Sequence, residues 1–281
     1  MIIINEVIEL RGLIETWRRG GNVAFVPTMG NLHAGHLALV KEARKVADRV
    51  VASVFVNPMQ FGGGEDFDSY PRTLESDTRM LKAEGTDLLF APSVGVMYPK
   101  PPSEQTRVEV PEISGVLCGA TRPGHFVGVA TVVCKLFNMV QPDIAVFGNK
   151  DYQQLMVIRR MVEDLAMPVS IVGIDTVRET DGLAMSSRNG YLTEQERLTA
   201  PILYRVISGL AAKLREGDDD YAGLQAQATG ELDQSGFRTD YIAIRRSADL
   251  SEPRAGESQL VILAAAYLGG ARLIDNIEVT R

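Results

Sequence analysis

The chain has 281 residues, 45% of them hydrophobic and 23% charged, the balance of a soluble globular protein with room for one large or two moderate domains. A formal net charge of −7 and a pI near 5.2 argue against a broad nucleic-acid or acidic-membrane surface. The longest apolar stretch, Leu260 to Leu268, is too short for a membrane span, Met1 to Glu6 lacks the basic start of a signal peptide, and Cys118 and Cys134 form no Cys-x-x-Cys. A reduced cytoplasmic setting, with no nucleic-acid and no membrane partner, is therefore expected.

In chain order, Val7, Leu10, Leu13, Ile14 and Trp17 recur at helical spacing over Glu6 to Arg19, and Gly20-Gly21 ends the run. The apolar segment Val23 to Val26 then meets Pro27 and a Gly30-Asn31 turn, after which Leu37, Leu39, Val40 and Ala43 return to helical spacing. This reads as strand, tight turn, helix, with His33 and His36 near the helix start, where unpaired N–H groups and the positive end of the dipole favour a phosphate. Gly35 between them leaves room for a flat ring such as adenine against the backbone. Two other readings stay open: a metal pair, for which the further ligands are limited to His125, Cys118 and Cys134, and two histidines that merely pack.

Val50 to Val56 reads as a strand buried on both faces of a parallel sheet. Gln60 follows in the loop at its carboxyl end, where open α/β sheets bind ligands, and is either a substrate-facing amide or a solvated one. Tyr70 to Glu84 reads as a helix with proline near its start and Gly85 past its end, and Asp87 to Ala91 as the next buried strand. Pro99 to Glu104 is irregular, and Arg122 to Val133 enters an apolar helix to about Val140, in which Val129, Val132 and Val133 line either the core or a small pocket.

Ile144 to Gly148 is a further strand, and Asn149 to Leu155 opens a helix, so Lys150 and Asp151 lie at a second strand-to-helix junction, as a phosphate site or a plain surface pair. Gln154, four residues after Lys150, shares its helical face. Val169 to Gly173 is another strand. Ser186, Ser187 and Arg188, in the loop Asp181 to Gly190, form a set of donors suited to phosphate oxygens. Thr193 to Glu196 is a capping box that starts a long helix to about Glu216, placing a domain boundary near 185. A helix from Tyr221 to Gln234 and strands over Asp240 to Arg246, Gln259 to Leu268 and Ala271 to Val279 suggest a small antiparallel sheet with two helices.

Pro27-Thr-Met-Gly-Asn-Leu-His-Ala-Gly-His36, Val56-Asn-Pro-Met-Gln-Phe61, Phe147-Gly-Asn-Lys-Asp-Tyr-Gln-Gln-Leu155 and Met185-Ser-Ser-Arg-Asn-Gly-Tyr-Leu192 occur in this order. With these four motifs the chain resembles the pantothenate synthetase family over essentially its full length. The resemblance implies an α/β fold: a Rossmann-like parallel-sheet nucleotidyltransferase domain over 1–184 that binds ATP and pantoate, and a smaller α+β C-terminal domain over 185–281 covering the active site. It implies an ATP-dependent, AMP-forming ligase that joins pantoate to β-alanine through a pantoyl-adenylate and releases pyrophosphate, with Mg²⁺, as a cytoplasmic homodimer.

Carried over by motif, the resemblance assigns ATP to Met29, Gly30, Asn31, Leu32, His33, Ala34, Gly35 and His36, to Gly148, Asn149, Lys150 and Asp151, to Val177, and to Met185, Ser186, Ser187 and Arg188. It assigns pantoate and β-alanine to Gln60 and pantoate also to Gln154. His36 matches the family's catalytic histidine, described as a proton donor, with His33, Lys150 and Arg188 as further catalytic groups. Two departures are visible: Asn149 stands where the family commonly has Glu or Gln, and Gly62-Gly-Gly64 where it has Pro-Asn.

Overall fold

The computed structural model describes residues 1–281, which divide into two compact units: Met1–Asn149 with Gln154–Asp175, and Lys150–Gln153 with Thr176–Arg281. The expected junction at 184/185 thus falls inside the second unit. The chain runs β1 (Ile2–Ile4), α1 (Val7–Arg18), β2 (Val23–Thr28), α2 (Ala34–Val46), β3 (Arg49–Val54), α3 (Leu74–Ala83), β4 (Leu88–Phe90), α4 (Val94–Met97), α5 (Cys118–Thr121), α6 (His125–Val140), β5 (Ile144–Gly148), α7 (Tyr152–Asp164) and β6 (Ser170–Ile174). It continues through α8 (Glu194–Thr199), α9 (Ile202–Arg215), α10 (Tyr221–Gln234), β7 (Arg238–Arg246), β8 (Gln259–Leu268) and β9 (Ala271–Thr280).

Strands β1 to β6 form one parallel sheet in the order β1-β4-β3-β2-β5-β6. The central strands are short apolar runs with no alternation: Val23 to Val26 and Val50 to Ala52 are fully buried, as a sheet covered on both faces requires. From β2 the chain builds outward on one side through β3 and β4, and later on the other through β5 and β6. Strand order therefore reverses at β2, and ligands of such sheets bind at the carboxyl ends beside the reversal. Pairing of β2 with β5 covers only Ala24 with Ile144 and Phe25 with Ala145. Pro27, which cannot donate to a ladder, comes after that pairing has ended.

The second unit contains the antiparallel sheet β7-β8-β9 over a core of Leu203, Ile207, Leu210 and Leu214 of α9, Leu224 and Leu232 of α10, and the inward residues Ile244, Ile262 and Leu273.

Several elements depart from the sequence reading. β1, α4 and α5 had no clear signal at three or four residues each. The expected helix from Thr193 to Glu216 is two helices, α8 and α9, separated at Ala200-Pro201; Pro201 removes an N–H and its ring crowds the preceding turn. Helix α3 starts at Leu74, not at Tyr70, because Arg72 folds its guanidinium back onto the carbonyls of Phe67, Asp68 and Tyr70 and closes a separate turn. Val129, Val132 and Val133 are all buried in α6, which places them in the core.

Candidate active site

The residues from Met29 to His33 link β2 to α2, and Ala34 to His36 form the first turn of that helix. Gly30 and Asn31 both take positive φ, 83° and 51°, the left-handed region that favours Gly and tolerates Asn. His33 is the N-cap of α2, and its Nδ1 accepts from the Gly35 N–H at 3.1 Å, while His36 Nδ1 accepts from the His33 N–H at 3.3 Å. This is a capping box built from two imidazoles, with ring centroids 4.1 Å apart. Because both Nδ1 atoms accept, each neutral ring carries its proton on Nε2, making Nε2 the donor. The cap thus fixes ring orientation and tautomer at the positive end of a helix dipole.

The turn is held by a residue that motif reading had passed over. Asp77 of α3 is fully buried, and its carboxylate accepts from the N–H groups of Asn31 at 3.0 Å and Leu32 at 2.9 Å and from Thr73 Oγ1 at 3.1 Å. A Cβ on Gly30 would stand 2.9 Å from Asp77 Oδ2, so glycine is required there for space as well as for φ.

Gln60 closes the 3-10 turn Pro58–Gln60 after β3 and is buried, which removes the solvated-loop reading. Its amide has one orientation. Asn57 Oδ1 accepts from Tyr98 Oη at 2.8 Å and from the Met59 N–H at 3.2 Å, so Asn57 Nδ2 is its donor side, directed to Gln60 Oε1 at 2.9 Å and the Gly128 carbonyl at 3.1 Å. Gln60 Oε1 is therefore taken, and Nε2, 3.2 Å from Met29 Sδ, is the group presented as a donor. Burial pushes the Tyr98 phenol above its ordinary value, so it stays protonated and the relay keeps its sense. Gly128 makes this packing possible: a Cβ there would lie 2.2 Å from the Met59 carbonyl oxygen.

A second cluster holds the same loop. Arg122 grips Glu65 through Nε at 2.7 Å and Nη2 at 2.6 Å, and Arg122 Nη1 lies 3.1 Å from His125 Nε2. A guanidinium only donates, so His125 Nε2 accepts and its Nδ1–H donates to the Gln60 carbonyl at 2.8 Å. Partial burial pushes the Glu65 carboxyl up, but the hydrogen bonds and charge of Arg122 outweigh it and leave it below its ordinary value. The Gly62-Gly-Gly64 segment therefore ends on an ion pair. Gly148 and Asn149 lie at the carboxyl end of β5, and Asn149 Nδ2 reaches Asp175 Oδ1 at 3.4 Å. Gln154 is half-buried on α7.

The second unit carries the remaining expected residues. Lys150 and Asp151 sit in the 3-10 turn Asn149–Asp151 before α7, with Lys150 Nζ 3.7 Å from Asp151 Oδ2. Val177 and Met185 are joined by the Met185 N–H to Val177 carbonyl bond at 3.0 Å, across a hairpin that includes an Arg178 to Ala184 bridge. Ser186 caps the 3-10 turn Ser187–Tyr191 by accepting from the Arg188 N–H at 3.2 Å. Met185, Ser186, Ser187 and Arg188 are all half-buried. Arg178, at the base of the hairpin, bonds both oxygens of the buried Asp275 at 2.6 and 2.9 Å and stacks 3.7 Å from the Tyr204 ring. Burial raises the Asp275 carboxyl above its ordinary value, with Arg178 pulling against that.

Within the first unit the structure brings together Met29, the two histidines' turn and Gln60; within the second it joins Val177 to the Met185–Arg188 loop. Asn57, Asp77, Tyr98, Arg122, Arg178 and Asp275 had not been singled out, and His125 had been considered only as a further ligand for a histidine metal pair. Their signal is pairing over long sequence separations, which no local spacing reveals. Asn57 alone lay inside a motif already noted.

The profile of the Pantoate-beta-alanine ligase family matches residues 2–278. The chain belongs to the pantoate-beta-alanine ligase family. It is similar to the pantothenate synthetase of Shewanella oneidensis, 57% identical over 282 residues and covering all of both chains. Among solved structures it resembles pantothenate synthetase from Thermus thermophilus, with TM-score 0.92, 48% identity and complete coverage of both chains. It also resembles the Francisella tularensis pantoate-beta-alanine ligase complexed with beta-gamma ATP and beta-alanine, with TM-score 0.84, 33% identity and coverage of 99% of this chain and 97% of that one. The parallel sheet of the first unit and the small antiparallel sheet of the second are thus those of a ligase family.

Proposed function

We propose that this chain condenses pantoate with β-alanine to form pantothenate, using ATP and proceeding through a pantoyl-adenylate. The observation that carries the reading is the His33 and His36 cap, two imidazoles with Nε2–H donors at the carboxyl end of β2, where strand order reverses. In the first step a pantoate carboxylate oxygen attacks the α-phosphorus of ATP and pyrophosphate leaves. In the second the neutral amine of β-alanine attacks the acyl carbon, AMP leaves with the bridging oxygen, and the amine proton is lost.

The first step brings anions together and loads charge onto phosphate oxygens, so catalysis is positioning and charge stabilisation. We assign that stabilisation to His33, His36, Lys150 and Arg188, with Ser186 and Ser187 beside them. ATP further engages Met29 to Gly35, Gly148, Asn149, Asp151, Val177 and Met185. Gln60 serves pantoate and β-alanine, its Nε2 donating to an acceptor oxygen, and Gln154 serves pantoate. Holding the carboxylate in line contributes about 7 to 11 kcal/mol in well-oriented systems.

The chain has no group of three or more His, Cys, Asp or Glu side chains placed to hold a metal. Mg²⁺ commonly binds through phosphate oxygens, water and one or two carboxylates, which fits entry with ATP and Asp151 as the available carboxylate. When bound, it supplies positive charge to the phosphate oxygens. No helix is long and apolar enough to cross a membrane, which is compatible with the cytoplasmic assignment. A homodimer is part of the same reading, and sedimentation should then give twice 30.7 kDa.

Pantoate labelled with ¹⁸O in its carboxylate should deliver one label to AMP when β-alanine is present. Pyrophosphate should form in a single turnover before β-alanine is added. Unlabelled AMP would exclude the acyl-adenylate route.

A further inference from the structure

Strand β9 places Asp275 and Asn276 next to each other, both buried and, by the alternation of a strand, on opposite faces. Asp275 shares the face of Ala271, Leu273 and Val279, which belong to the core of the second unit. There it takes both arms of Arg178, and Arg178 Nη1 also donates to the Gly182 carbonyl at 3.1 Å, spanning the hairpin from its base to its turn. Asn276 lies on the other face, and its Nδ2 donates to the Lys150 carbonyl at 2.9 Å. Glu278, next along that face, accepts from Tyr152 Oη at 2.9 Å. The two neighbours are also linked directly, since the Asn276 N–H donates to Asp275 Oδ1 at 2.8 Å.

Two separate stretches of chain, the Lys150 turn and the Val177 to Arg188 hairpin, are therefore referenced to one dipeptide. A buried carboxylate with a bidentate arginine has a narrow range of allowed geometries, and an amide that bonds a main-chain carbonyl fixes the backbone rather than one rotamer. We infer that Asp275 and Asn276 are positioning residues for the ATP-phosphate ligands of this unit. Asp275 acts through Arg178 on the loop Met185 to Arg188, and Asn276 acts through the Lys150 carbonyl on the turn that carries the Lys150 ammonium.

The inference rests on the assignment of Lys150 and Arg188 to ATP, and its test separates the two. Asn276→Ala removes one tether and leaves the Arg178 pair intact. Its kcat/KM for ATP should fall about 10- to 100-fold, the scale on which a misplacement of about 1 Å acts, while the KM for pantoate stays unchanged. In a Lys150→Ala background the same substitution should change kcat/KM by less than about twofold, because its effect passes through Lys150. Arg178→Lys, which keeps the charge and loses the fork, should likewise raise the KM for ATP alone, with the melting temperature measured alongside. Equal losses from Asn276→Ala in both backgrounds, or losses shared by ATP and pantoate that follow the melting temperature, would make the pair merely structural and overturn the inference. Wild-type turnover in Lys150→Ala itself would instead remove the phosphate assignment beneath it.

Discussion

A glutamine presents a donor or an acceptor to its ligand depending on what holds its other end. For Gln60 that choice is made by Asn57, and for Asn57 by Tyr98 and the Met59 N–H. Asn57→Asp leaves no donor for Gln60 Oε1 and frees the amide to turn over. The KM for pantoate is then expected to rise about tenfold, the scale of one hydrogen bond to a charged group, with ATP affinity by calorimetry unchanged. Tyr98→Phe removes one of two donors to Asn57 Oδ1 and should have the same sense with a smaller effect. If His36 donates to the reacting phosphate as proposed, His36→Ala should drop kcat about 10²- to 10³-fold; near-normal turnover in a folded variant would refute the role. The histidines and Gln60 were legible as residue types at a strand end. The partners that give them direction were not, since Asn57 and Tyr98 lie 41 residues apart.

Elements, rather than single side chains, hold the histidine turn in place. The start of α2 is fastened to α3 by Asp77, so Asp77→Asn should leave one main-chain N–H facing an amide NH₂. Denaturant unfolding should record a loss of about 1 to 3 kcal/mol, the cost of an unsatisfied buried donor, together with lower activity. The Gln60 loop is latched by Arg122 and Glu65. Glu65 sits below its ordinary value of 4.5 in the folded state, so the latch is fully present above that pH and is lost as pH falls through the lower, folded-state value. Proteolytic cutting at Gly62 to Gly64 should accordingly rise in acid, and Glu65→Gln should show that higher susceptibility at neutral pH. The parallel strands and most helices were readable because buried apolar runs and helical periodicity are local. The break at Pro201 was hidden because the capping box at Thr193 and the apolar period of α9 read as the start and the body of one helix, and the late start of α3 by a long-armed Arg72 that closes a turn of its own.

At the scale of the whole molecule, the ligase assignment accounts for the order of the motifs along the chain: a histidine cap after β2, an amide after β3, a lysine turn after β5, and a serine-arginine loop after β6. That order follows the sheet outward from its reversal on each side. Three of the four motifs mark the carboxyl ends of β2, β3 and β5, the fourth opens the 3-10 turn Ser187–Tyr191 of the second unit, and the family match over residues 2–278 takes in both units.

The division of the chain has a consequence for dissection and splicing. Lys150 to Gln153 clusters with the second unit although residues on both sides of it belong to the first, so the second unit is stitched from two lengths of chain. A fragment beginning at Thr176 lacks both the carbonyl that Asn276 bonds and the phenol that Glu278 accepts from. Expressed alone, 176–281 should unfold at a lower denaturant concentration than the same unit within the full chain, and a peptide spanning 148–155 added in trans should recover part of the difference. Equal midpoints would show that the stitch contributes nothing. A gene cut at 175/176 would sever the second unit from its own short thread, which makes that position a poor seam for split reporters or domain exchange within this family.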